Sequence, residues 1–222
     1  ILKEIIFNNG SYKGNFANGK SISLTSDELA DIFSKNELAN NRTVYIPSKK
    51  EKDSNKQIKF LRSEDKFIKM SEGMRFKFEA EKKVLQFFQS NPSDWALIYG
   101  GDYSNWKIIF EGLAPKSNKN KNSNQRFNQY GLTGCLTVYE SLIDNLSLSV
   151  NGGDCEDSIN IINSFGINLS FIVKEAFSDA VDADFSKLSI KSLKIKDAQN
   201  DCIDLSGGEY NIDDATLDGC QD

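Results

Sequence analysis

Through most of the chain apolar residues alternate with polar ones in short runs, the period of strands that bury one face. In "FIKMSEGMRFKFEAEKKVLQFF" (67–88), Met74, Phe76 and Phe78 alternate with Arg75, Lys77 and Glu79. "WALIY" and "WKIIFEG", starting at Trp95 and Trp106, are two further strands around "GGDYSN". One segment follows a helical period instead. "TSDELADIF" offers Thr25 as an N-cap, Glu28 three residues later, and Leu29, Ile32 and Phe33 on one face, which predicts a short amphipathic helix.

From residue 133 the alternation becomes a repeat. "EDSINIINS" (156–164), "SDAVDADFS" (178–186) and "NDCIDLSGG" (200–208) align without gaps at a spacing of 22, since 179 − 157 and 201 − 179 are both 22. "TGCLTVYES" (133–141) fits with one extra residue. In the intervening segments Phe171, Leu193 and Ala215 share one column and Val173, Ile195 and Leu217 another. Each repeat therefore holds at least two short strands separated by Gly, Asn, Asp and Ser turns. A unit this short leaves little room for a βαβ crossover and lacks the leucine-rich consensus. The pattern predicts an all-β fold, a right-handed parallel β-helix of about 22 residues per coil stacked at roughly 4.8 Å.

The expected organisation is an N-terminal cap region with its short helix over residues 1–45, then one continuous β-helix over 46–222 with clear repeats at 133–222. The helix would plug the open end of the solenoid, where core and strand edges are otherwise exposed. Two polar tracts, "SKKEKDSNKQ" (48–57) and "KSNKNKNSNQ" (116–125), read as solvated loops.

Within each repeat the alternation points Ile159 and Ile161, Val181 and Ala183, and Ile203 and Leu205 into the core. Thr137, Asn160, Asp182 and Asp204 then form an outward column, with Asp184 and Tyr139 on the same face. Two carboxylates in adjacent coils would sit roughly 5 Å apart, close enough to raise one pKa or to be bridged by a cation. Asp182 and Asp204 are thus candidate calcium ligands, the one cofactor the pattern suggests. Asp182, Asp184 and Asp204 are also the candidates for acid/base chemistry on a glycosidic bond. A solvated acidic stripe is the alternative. Asp157, Asp179 and Asp201 form a separate column at the strand entrance and read as structural, bonded to turn amides. Tyr139 is the aromatic expected to be exposed and able to stack on a sugar, while Trp95, Tyr99, Tyr103, Trp106 and Tyr130 read mainly as packing residues.

Composition narrows the chemistry. The 222 residues carry a net charge of −5, which argues against a nucleic-acid partner. No apolar run reaches the roughly 20 residues of a spanning helix. The first residue is Ile1, which suggests a processed protein or a piece of a longer one. There is no histidine, which removes the commonest general base and nucleophile partner. The four cysteines, Cys135, Cys155, Cys202 and Cys220, lack CxxC spacing. Cys135 and Cys202 share a column but lie three coils, about 14 Å, apart, so mostly free thiols are expected.

The phrases "GCLTVYES", "EDSINIINS", "SDAVDADFS" and "NDCIDLSGG" resemble coils of pectate-lyase-like right-handed parallel β-helix proteins of bacterial secreted and envelope polypeptides. The resemblance implies a solenoid whose outer face binds or cleaves polysaccharide, or a spacer or assembly scaffold. It also marks departures. The lyases of that family pair an Arg or Lys base with calcium-binding acids, and the four repeats hold no Arg; its hydrolases carry a histidine, and this chain has none. The leading expectation is a non-catalytic module binding an extended carbohydrate through Thr137, Tyr139, Asn160, Asp182, Asp184 and Asp204, as part of a larger bacterial surface or secreted protein. A structural or protein-interaction solenoid, with a partner or further coils at its open C-terminal end, is the second class. A polysaccharide-cleaving enzyme is the third. An extracellular or envelope location goes with the resemblance, and unpaired cysteines would leave the cytoplasm open.

Overall fold

The computed structural model describes residues 2–8, 11–16, 20–24, 44–47, 58–63, 65–113, 127–128 and 130–221. The expected helix at 25–33 and the polar tracts at 48–57 and 116–125 lie outside the described residues. Among the described residues all regular structure is strand, apart from one 3-10 turn at Ala80–Lys82. The chain forms two compact units, Ile1–Glu72 and Gly73–Asp222.

The first unit is antiparallel. Strands β1 (Leu2–Asn8), β2 (Ser11–Phe16) and β3 (Ser21–Leu24) pair in sequence, as do β4 (Val44–Pro47), β5 (Ile58–Ser63) and β6 (Lys66–Ser71). In β6 the two-residue period buries Ile68 and Met70 and leaves Phe67 and Lys69 half-covered.

The second unit opens with an antiparallel hairpin of β7 (Arg75–Glu79) and β8 (Val84–Phe88). From β8 to β18 the chain switches sheet after each strand, so the pairings between successive coils are parallel. One sheet stacks β8, β10 (Lys107–Glu111), β12 (Ser147–Asn151), β14 (Phe165–Ala176), β16 (Lys187–Ala198) and then β18 (Glu209–Ile212) with β19 (Ala215–Asp218). The other stacks β9 (Ala96–Tyr99), β11 (Gly134–Tyr139), β13 (Asp157–Ile162), β15 (Asp179–Asp184) and β17 (Ile203–Ser206). The result is a parallel β-solenoid of about six turns and about 22 residues per coil. Its register is that of the sequence repeat: Phe171 pairs with Leu193 and Leu193 with Ala215, and Val173 with Ile195 and Ile195 with Leu217. Leu136, Val138, Ile159, Ile161, Val181 and Ala183 meet Leu148, Val150, Phe171, Val173, Leu193 and Ile195 in the interior, all buried. In the last coil Ile203 is half-buried, and Leu205 and Leu217 are exposed.

The cysteines depart from expectation. Cys135 is bonded to Cys155 and Cys202 to Cys220, each with Cα atoms 5.4 Å apart. Comparing like columns in distant coils excluded only the wrong pair. Each bridge instead joins the start of a strand of the second sheet to the turn that enters the next coil, a little less than one repeat further on, where stacking brings the chain back overhead. Two such bridges fit maturation in an oxidising compartment.

Turns between the sheets are held by a serine ladder. The Ser164 hydroxyl accepts from the Ser141 amide at 3.2 Å, and that of Ser186 from the Ser164 amide at 3.0 Å. Each hydroxyl also donates to the carbonyl two residues before it, at 2.9 Å. In the next coil the position is Gly208, where a Cβ would run into the Ser186 carbonyl oxygen and the Tyr210 hydroxyl. Tyr210 takes over the role: its hydroxyl accepts from the Ser186 amide at 3.3 Å and reaches the carbonyls of Ala183 and Ser206 at 2.8 and 3.0 Å. Tyr210→Phe leaves these groups short of a partner and is expected to lower unfolding free energy by about 1 kcal/mol. Urea unfolding curves that superimpose on wild type would refute it.

Candidate functional site

The outer face of the five parallel strands β9, β11, β13, β15 and β17 carries two columns. Leu97, Thr137, Asn160, Asp182 and Asp204 are successive partners in one; Tyr99, Tyr139, Ile162, Asp184 and Ser206 in the other. Neighbours within a column are separated by the interstrand spacing of ~4.8 Å. The face thus begins with two stacked tyrosine positions and ends in three carboxylates.

The expected outward residues share one face but not one environment. Asp204 is exposed, Asp182, Asp184 and Tyr139 are half-buried, and Thr137 and Asn160 retain only 0% and 1% of their exposure. Alternation fixes the direction of a side chain and says nothing about cover, so the reading of Thr137 and Asn160 as surface positions fails while their place on the face holds. Tyr139, expected to be open, is half-covered and hydrogen-bonded to Glu140, which raises its pKa. Tyr103, Trp95 and Trp106 are buried packing residues, as their pattern suggested.

The entrance column also divides. The Asp179 carboxylate accepts from the Asp201 amide at 3.0 Å and the Asn200 side chain at 2.6 Å, the structural role expected of it. Asp157, 2% exposed, instead faces the acidic face. Its carboxyl is pushed up to about 8, first by burial, and further by repulsion from Asp182, Asp179 and Glu156, against a hydrogen bond with Thr133. Asp182 is pushed up to about 6 by burial and by the charges of Asp184 and Asp204, while hydrogen bonds with Asp157 and Asn160 oppose the shift. Burial and Asp204 also raise Asp184. The Asn160 amide donates to Asp182 at 2.8 Å. Asp157 Oδ2, Asn160 Oδ1 and Thr137 Oγ1 are buried with no partner.

Among the described residues none of Asp182, Asp184 and Asp204 has an ion-pair partner. Among the described residues no group of three or more His, Cys, Asp or Glu side chains is arranged to hold a metal ion. The calcium expectation at Asp182 and Asp204 therefore has two carboxylates where the ion takes six to eight oxygens.

Immediately after the second column the chain turns. Glu140, Asn163, Phe185 and Gly207 stack there with φ of 49°, 46°, 50° and 61°. Glycine and asparagine suit this left-handed region, but a bulky aromatic does not, at a cost of about 1–2 kcal/mol. The Phe185 ring lies against the bare face of Gly207, 2.7 Å from where a Cβ would stand, and is still 69% exposed. These turns and the residues after them line an open groove of about 720 Å³, whose lining includes Leu142 (37% exposed), Phe165 (43%) and the Lys187–Glu209 ion pair at 2.7 Å. Nothing in the alternation marked this corner; the one signal was a phenylalanine aligned with asparagine and glycine.

The chain matches no family model, no curated protein and no solved structure in comparisons with each. The stacked coils are consistent with a parallel β-helix, and no match identifies a pectate-lyase-like member.

Proposed function

We propose that the second unit is a carbohydrate-binding module of an extracellular or envelope protein, holding an extended glycan across the outer face of β9, β11, β13, β15 and β17. The carrying observation is the continuity of that face: the Tyr99 and Tyr139 positions lead along the coil axis into Asp182, Asp184 and Asp204, which have no ion-pair partners among the described residues. Tyrosine offers apolar ring area with a polar tip, and carboxylates accept from several hydroxyls at once. The columns run along the coil axis, so a linear polymer lying along them would meet the tyrosine pair at one end and the carboxylates at the other.

The Asp182→Asn/Asp204→Asn double variant is expected to lose at least tenfold in affinity on a glycan array while its melting temperature stays level or rises, because repulsion is relieved. Tyr139→Ala should weaken binding as well. Equal loss of binding and stability would assign these residues to the scaffold.

Hydrolysis of the bound glycan is a second reading, favoured by the raised Asp182 carboxyl one coil from Asp204. Asp157 is too enclosed to touch substrate, so Asp182 would be the acid and Asp204 its partner carboxylate. Release of reducing ends from a polysaccharide panel, abolished in Asp182→Asn, tests it; no release from any member removes it.

A further inference from the structure

Resting on the glycan-binding reading, a narrower inference concerns which glycan. We propose that the ligand is an amino-sugar glycan, with its protonated amino groups against Asp182, Asp184 and Asp204 and a pyranose ring seated on Phe185 in the corner groove.

Charge is the first argument. The face and the groove together present Asp182, Asp184, Asp204, Glu140 and Glu209, and the one cation in the groove lining, Lys187, is held by Glu209. A polyuronate would meet uncompensated repulsion here, whereas an ammonium group supplies the missing counter-charge. A buried atom beside the carboxylates points the same way. Asn160, in the column beside Asp182, donates its amide to that carboxylate and leaves Oδ1 unpartnered. An amide oxygen only accepts, so this position is short of a donor, and an ammonium group offers three.

The groove argues for a sugar over a basic peptide. Most of its amides are already used: those of Glu140, Asn163 and Phe185 donate to Ile162, Asp184 and Ser206, and those of Ser141, Ser164 and Ser186 to the hydroxyl ladder. A peptide strand would find only the Gly207 and Gly208 amides open, too short an edge to pair with. What remains is an exposed ring with Asn163 and Glu140 beside it, which suits the apolar face and the hydroxyls of a pyranose. The strained φ of Phe185 is consistent with an aromatic kept for contact, since glycine would hold that turn at no steric cost.

Isothermal titration of the protein with glucosamine hexasaccharide, its N-acetylated counterpart, cellohexaose, hexagalacturonate and hexalysine tests this. The glucosamine oligomer is expected to bind at least tenfold more tightly than cellohexaose, and hexagalacturonate not at all. Asp182→Asn/Asp204→Asn should erase that preference. Phe185→Gly should weaken binding of both the glucosamine oligomer and cellohexaose at least fivefold without lowering the melting temperature. Equal or tighter binding of cellohexaose, the N-acetylated oligomer or hexagalacturonate overturns the amino-sugar assignment and leaves the glycan reading standing. Hexalysine binding as tightly as the glucosamine oligomer overturns it in favour of a polycation site. Unchanged affinity in Phe185→Gly removes the groove from the site, and no binding of any saccharide ends both readings.

Discussion

Replacing Cys135 and Cys155 together by alanine lowers the stability of the solenoid by about 3 kcal/mol, read as a fall in melting temperature of roughly 6–12 °C. The bridge closes a loop of sequence separation 20 in the middle of the stack, where β11 pairs with strands on both sides. Its loss frees that loop in the unfolded chain. Cys202–Cys220 closes a similar loop, of separation 18, but in the last described coil, where β17, β18 and β19 are largely exposed. Stability in a solenoid is a sum over coils and their neighbours. Removing the terminal bridge should therefore loosen β17–β19 locally, seen as fast proteolysis and hydrogen exchange after Ala198, with a small change in the main transition. If the two double variants melt alike, the stack unfolds as a single unit and this account is wrong.

The same coil geometry explains what could be read from sequence. A parallel solenoid writes its register directly into spacing, so aligning Asp182 over Asp204 or Val173 over Ile195 placed true hydrogen-bonded neighbours together. The core followed from alternation for the same reason. Contacts offset by a few residues within the coil were not legible: each cysteine partner stands in a turn, away from its mate's column. Cover was not legible either, which is why Thr137 and Asn160 lie on the expected face yet are buried. Asp157 shared a column with Asp179, and its different fate depends on facing Asp182, a diagonal relation that a column alignment does not display. Phe185 was visible as an oddity, aligned with Asn163 and Gly207 at a position where the backbone is left-handed.

Stability of the second unit should fall as pH rises from about 4 to about 8, and Asp157→Asn should flatten that fall. The Asp157 carboxyl sits near 8 in the folded chain because it is buried, with Asp182, Asp179 and Glu156 adding repulsion, against about 3.9 when unfolded. Between those values the folded state holds a proton that the unfolded state has released, so stability declines with pH. The contribution is complete below about pH 4 and is lost as pH passes through about 8. Asp182, near 6, adds a shorter fall in the same direction. Each proton so held changes stability by up to about 1.4 kcal/mol per pH unit, which over this span amounts to a few kcal/mol. Asparagine keeps the size of the protonated acid and cannot ionise. Asp157→Asn is therefore expected to be more stable than wild type by about 1–2 kcal/mol at pH 5 and by a few kcal/mol at pH 9. Urea unfolding at pH 5, 7 and 9 separates this from a merely structural role, in which the variant would lie below wild type by the same amount at every pH. A variant less stable at pH 9 would mean that the buried carboxylate is compensated in the folded chain, and the acidic face would then have to be redrawn around a bound cation.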